Sequence, residues 1–192
     1  KINLGGIMSK EHFSLLVETL ELDEQLTEEQ FTNFSLDNIE KNNKNKTWIF
    51  NFSGENIPSS EAFTLFIQRL RDSFQGEYLV KYCLNLKEEI SDEKIKEYWK
   101  FVILENFSEL APVLLESILF SKIDVKDNIL SLNIMAPSIW NNFINEKKPQ
   151  ILSSYANLGI TLKDIRPIFV KTDVDAVLEN QEENINKEIT KL

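Results

Sequence analysis

The sequence predicts an α+β protein of two small domains, each a three-stranded sheet with helices packed on one face. One order of elements (two helical stretches, two short strands, a helix and a last strand) fills residues 9–87 and returns in residues 91–171. The strands alternate apolar and polar positions, so each sheet has one face to bury and one to leave open. A content of 42% hydrophobic residues, with 13 Phe among 192 residues, is enough apolar mass to build a core.

In the first copy, Ser9 can cap a helix whose Phe13, Leu16, Val17 and Leu20 form one buried stripe. Thr27 and Gln30 have the spacing of a capping box, with Phe31 and Phe34 following on the inward side of a short second helix. Leu36 to Lys41 reads as a strand, Asn42 to Asn45 as a turn, and Lys46 to Phe52 as a strand with Trp48, Phe50 and Phe52 on one side. Pro58 and Ser59 open a helix with an apolar stripe of Phe63, Phe66, Ile67, Leu70 and Phe74, and Gly76 ends it. In the closing strand Tyr78, Val80, Tyr82, Leu84 and Leu86 face inward, while Leu79, Lys81, Cys83 and Asn85 face the other way.

The charged stretch Glu88 to Asp92 marks the boundary. Beyond it a helical stripe of Ile95, Tyr98, Trp99, Val102, Ile103 and Phe107 precedes a second helix opening at Pro112. Ile123 to Val125 and Ile129 to Ile134 flank the turn Lys126-Asp127-Asn128. Pro137 and Ser138 start a helix that Pro149 breaks or kinks and Gly159 closes. Ile165 to Val170 is the last strand, and Pro167, which has no amide donor, requires it to lie at a sheet edge or to be bulged there. Lys1 to Ile7 precede a Met8-Ser9 that reads as a natural start, so residues 1–8 are set aside as a cloning remnant. Residues 172–192 read as an acidic linker or helix leading to further protein, with a thin stripe of Val174, Leu178, Ile185 and Leu192.

Composition narrows the chemistry. The formal charge of -10 opposes the sign that phosphate neutralisation requires, which makes duplex DNA a poor direct partner. His12 is the only histidine and Cys83 the only cysteine, so neither a histidine triad, a zinc cluster nor an internal disulfide can be assembled within the chain. Asp173-Val174-Asp175 has a metal-binding spacing but lies in the acidic tail without a phosphate loop nearby, and reads as solvated. Trp48, Trp99 and Trp140 fall on apolar stripes and read as core, while Lys41, Lys44 and Lys46 form a local basic cluster, with Lys147 and Lys148 a small second one. No catalytic residue, metal ligand or cofactor is assigned. The single cysteine and the lack of a long apolar run predict a cytoplasmic protein outside the membrane, expected as a monomer.

The element order suggests two KH-like domains of type II. Nucleic-acid binding by that fold depends on a GXXG loop, which neither copy has, so the open sheet face is left for protein contacts. Its outward positions Ile49 and Lys81 are the candidate binding residues.

Specific stretches also resemble a known family. Lys46-Thr47-Trp48-Ile49-Phe50-Asn51-Phe52, the helix ending Leu70-Arg71-Asp72-Ser73-Phe74, and the Tyr98-Trp99 pair resemble the N-terminal region of the PolC-type DNA polymerase III alpha subunit of low-GC Gram-positive bacteria. The likeness runs through residues 9–171 in order, and the second copy also looks like the N-terminal interaction domain of the bacterial replication initiator. The resemblance implies a DNA-directed DNA polymerase with 3'-5' exonuclease whose catalytic carboxylates lie outside this segment. It implies that the segment itself docks replisome proteins, with the clamp-loader tau subunit as the leading partner. The alternative is a single-stranded nucleic-acid-binding module built on the Lys41 to Lys46 hairpin and exposed aromatics.

Overall fold

The computed structural model describes residues 2–3, 10–134 and 137–169. The predicted Ser9 cap, the strand residue Val170, the tail 172–192 and its Asp173-Val174-Asp175 lie outside the described residues.

Helix α1 (Lys10–Thr19) buries Phe13 and Val17, and Leu20 just past its end is buried too. The capping box is not formed. Helix α2 (Glu24–Gln30) begins earlier, because the Asp23 carboxylate accepts the Leu26 amide at 3.0 Å while the Thr27 hydroxyl donates back to the Asp23 carbonyl. A carboxylate is the stronger acceptor at a helix N-terminus. Gln30 is thereby released to accept the Ser59 amide at 2.9 Å.

Strand β2 (Ser35–Asn42) turns into β3 (Thr47–Gly54) through an Asn42 side chain that accepts the amides of Lys44 and Asn45. The strands are antiparallel, with a bulge at Asp37. Helix α3 (Ser60–Asp72), capped by the Ser59 hydroxyl, crosses over the sheet and returns β4 (Leu79–Leu86) parallel to β3. Phe50, Phe52, Val80, Tyr82 and Leu84 are buried under α3, whose Phe63, Phe66, Ile67 and Leu70 meet them. Ile2–Asn3 forms a short strand, β1, on the outer edge of β2 opposite Lys41 and Glu40, so part of the stretch set aside as a remnant joins this sheet.

The second unit repeats the plan. Helix α4 (Asp92–Glu97) is capped by Ser91, and α5 (Trp99–Phe107) follows it. The single helix expected here is interrupted at Tyr98, whose hydroxyl reaches back to the Pro58 carbonyl at 3.0 Å. Helix α6 (Pro112–Leu119) leads into β5 (Ile123–Lys126) and β6 (Ile129–Ile134), joined by Asp127 and Asn128 at positive φ, as a tight hairpin turn requires. Pro149 neither breaks nor ends the last helix. A short α7 (Pro137–Ile139) widens into a π-helical turn over Trp140–Ile144 before α8 (Asn145–Asn157), and the Asn145 amide there bonds to the Trp140 carbonyl. The widened turn stands one turn ahead of the proline, where the missing amide and the ring would otherwise crowd a regular helix. Strand β7 (Asp164–Phe169) pairs parallel with β6 at the sheet edge, as Pro167 predicts. The architecture is α+β: two mixed sheets that share a three-stranded order and sense, the first extended to four strands by β1, and helices on one face.

The two units share one core. Phe101 lies 5.5 Å from Phe63 and 6.3 Å from Tyr82, and Tyr98 is fully buried beside both Phe63 and Phe101. Arg71 on α3 holds Glu105 on α5 by donating from both terminal guanidinium nitrogens, Nη1 and Nη2. Glu97 accepts the Ser60 amide at 2.6 Å, placing a carboxylate of one unit on the N-terminus of a helix of the other. Burial by itself would lift the Glu97 carboxyl; Lys94 and the Ser60 amide outweigh it and hold the group below its ordinary range. Its contribution to stability is therefore complete above the unfolded pKa and is lost as pH falls through the folded one. Between roughly pH 6 and 3 the free energy of unfolding should fall more steeply for the native chain than for Glu97→Gln, measured by urea titration at each pH; parallel curves would refute it.

Candidate protein-interaction surface

The open face of the first sheet is organised by strand register. Ile49 at the middle of β3 lies directly beside Lys81 on β4 and Glu40 on β2. The two predicted site residues are thus cross-strand neighbours, Ile49 half-buried and Lys81 exposed. One step along, Asn51 donates to Asn38 at 2.6 Å, with Cys83 alongside. At the far end the Ser35 and Ser53 hydroxyls both donate to Asp37, fixing the carboxylate at the bulge. Toward the hairpin the exposed Leu79 stands beside Thr47. The face is polar and pre-ordered by its own hydrogen bonds, with Ile49 and Leu79 as apolar points and Lys81 as an exposed cation between them. This combination suits a protein surface more than a small-molecule pocket.

Lys81 also lines a polar cleft of about 300 Å³ where β4 meets α5 and α8. There Asn106 donates to Ser154 at 2.7 Å, and Gln150 donates to Asn106 at 3.3 Å. Burial raises the Tyr82 hydroxyl at its edge far above the phenol range, so it stays neutral. In the second sheet the positions corresponding to Ile49 and Lys81 are Ser131 and Arg166, and Arg166 is drawn onto Asp164 at 3.1 Å. The duplicated fold therefore does not duplicate the surface.

Lys41 of the basic cluster is engaged within the protein, while Lys44 and Lys46 are exposed. The Lys41 ammonium lies 5.0 Å from the Trp48 ring centre and 5.5 Å from that of Tyr78, and Phe74 packs on Trp48 at 5.3 Å. These contacts occupy the rings that a base would need for stacking. Trp99 and Trp140 are buried as expected, Trp99 donating to the Ile118 carbonyl at 3.0 Å. His12 is exposed on α1 and Cys83 is half-buried on β4. Among the described residues no cluster of histidine, cysteine or carboxylate side chains could hold a metal ion, and no helix is long and apolar enough to cross a membrane. Sequence reasoning missed the seam formed by Tyr98, Arg71 and Glu105, because nothing in the periodicity of either copy points across the boundary.

Residues 12–82 match the family described as DNA polymerase III polC-type N-terminus I. The chain is 26% identical over 177 residues to the PolC-type DNA polymerase III of Oceanobacillus iheyensis, covering 90% of this chain and 12% of that protein. It is 22% identical over 184 residues to that of Staphylococcus epidermidis, covering 95% of this chain and 13% of the relative. The chain thus spans about an eighth of the length of the curated relatives it matches. The family match runs from within α1 to the middle of β4 and includes Ile49 and Lys81, and the longer similarities carry on through the second unit: this chain matches an N-terminal fragment of PolC-type DNA polymerase III.

Proposed function

We propose that this chain is a non-catalytic protein-interaction region of a replicative DNA polymerase, a pair of KH-like domains that tethers the enzyme to the clamp-loader tau subunit or another replisome protein. In this reading, nucleotidyl transfer and 3'-5' exonuclease chemistry belong to the rest of the polymerase. The observation that carries it is the coincidence of the family match with the open sheet face. The stretch that is similar to the PolC N-terminus is also the unit that leaves Ile49, Lys81 and Leu79 on an ordered polar face. The single-stranded nucleic-acid reading is weaker, since Lys41, Phe74 and Tyr78 cover Trp48.

Calorimetric titration of the whole chain with the C-terminal region of the tau subunit tests the reading. Saturable one-to-one binding is expected, weakened by roughly tenfold in Lys81→Glu and in Ile49→Glu, with the thermal transition of each variant recorded as a folding control. Absence of heat, or an affinity that neither variant alters, would remove the tau assignment and this face with it.

A further inference from the structure

Helix α6 is apolar on almost every side: Val113, Leu114, Leu115, Ile118 and Leu119 lie along it and Phe120 follows at once. A helix of that composition is normally enclosed. Here Ile118 is fully buried and Leu114, Leu115 and Leu119 pack partly against the core, while Val113 is 82% exposed and Phe120 72% exposed.

Beside the end of this helix lies a groove of about 430 Å³ that reaches the end of β6 and α7. Ile118, Leu132, Ile134 and Ile139 line it, and the Phe120 ring forms one lip. The register of β6 and β7 places Phe169, 51% exposed, next to Ile134 and prolongs the apolar surface. The charge of the groove is opposite to that of the chain. Among the residues lining it Lys122 alone is charged, and the ammonium of Lys100 lies 4.7 Å from the centre of the Phe120 ring. A chain of net charge -10 thus presents an apolar groove with a cationic rim.

We propose that this groove seats one amphipathic helix of a partner protein, its apolar side chains against Phe120 and Ile139 and its acidic side chains toward Lys100 and Lys122. Helix-in-groove docking uses such a pairing of an apolar stripe with flanking charges. The site is separate from the open face of the first sheet and has the opposite preference to that of the chain as a whole, whose net charge favours basic partners.

Two labelled helical peptides test this against the whole chain by fluorescence anisotropy. One carries leucines at every third and fourth position with glutamates between them, and the other carries lysines in place of the glutamates. The glutamate peptide is expected to bind saturably, and Phe120→Ala and Lys122→Glu each to weaken it by about tenfold or more. Both residues are exposed, so neither change should disturb folding. The lysine peptide, which the net charge draws to any acidic surface, should fail to displace it. Lys81→Glu should leave the affinity unchanged, so that this proposal and the sheet-face reading stand or fall separately. No binding of the glutamate peptide, displacement by its lysine counterpart, or indifference to both groove variants would overturn the proposal. Tighter binding by a chain cut after Lys171 would give the groove to the acidic tail instead, and a dimer dissolved by Phe120→Ala would give it to a second copy.

Discussion

Tyr98→Ala should destabilise the whole chain by about 3–5 kcal/mol, the range for removing a large aromatic side chain from a packed interior. Tyr98 is 0% exposed, lies between Phe63 of one unit and Phe101 of the other, and supplies the hydroxyl that satisfies the Pro58 carbonyl. Truncation would open a cavity at the seam and leave that carbonyl without its donor. Tyr98→Phe keeps the ring and should cost about 1–2 kcal/mol, which separates packing from hydrogen bonding. Scanning calorimetry gives the check. For a protein of this size the alanine variant should melt roughly 6–20 °C lower, and in a single transition, because both units draw on one core. A second unit melting alone at its original temperature would show that the seam does not couple them.

Gly159→Ala should cost about 2–4 kcal/mol, from two sources that a paired variant can separate. Gly159 ends α8 with φ +77°, a conformation that L side chains rarely adopt, and an added Cβ would stand 3.1 Å from the Leu84 carbonyl oxygen of β4 and 3.4 Å from the Leu86 side chain. Gly76 has nearly the same φ, +74°, with nothing within 4 Å of its Cβ position. Gly76→Ala therefore reports backbone strain alone, about 1–2 kcal/mol. The difference between the two variants in urea unfolding measures how tightly the end of α8 abuts the first sheet. Equal losses would mean that the contact with β4 yields without cost.

Much of this architecture was legible in the sequence because the two periods, alternation in the strands and the helical three-and-four spacing, are enforced by burial. Phe50, Phe52, Val80, Tyr82 and Leu84 all point where alternation placed them, and Pro167 marked an edge strand. Legibility failed where a local signal had a competitor. Thr27 and Gln30 have capping-box spacing, but Asp23 is the better acceptor and starts the helix earlier. Tyr98 sits on a continuous helical stripe, yet the helix divides there, at the residue whose hydroxyl crosses the boundary to the Pro58 carbonyl. Pro149 signalled disruption without saying that a π-helical turn upstream would absorb it.

At the candidate surfaces the pattern is similar. Ile49 and Lys81 were placed on an outward face by alternation, but their adjacency required the parallel register of β3 and β4, which no single strand encodes. The exposure of α6 had a signal in its two apolar runs, Val113 to Leu115 and Ile118 to Phe120, separated only by Glu116 and Ser117. A helix apolar on all sides is either enclosed or unpartnered, and only the tertiary arrangement decides between them.

The shared seam also sets an order of events for a nascent chain. Synthesis delivers α3 and β4 before α5, so Phe63 and Tyr82 must wait, wetted, until the segment bearing Tyr98 and Phe101 leaves the ribosome. During that interval the first unit has its own sheet but lacks part of its roof. An N-terminal half released by a nick in the 88–92 stretch would carry the same uncovered aromatics, and such a fragment would be a ready client for chaperones.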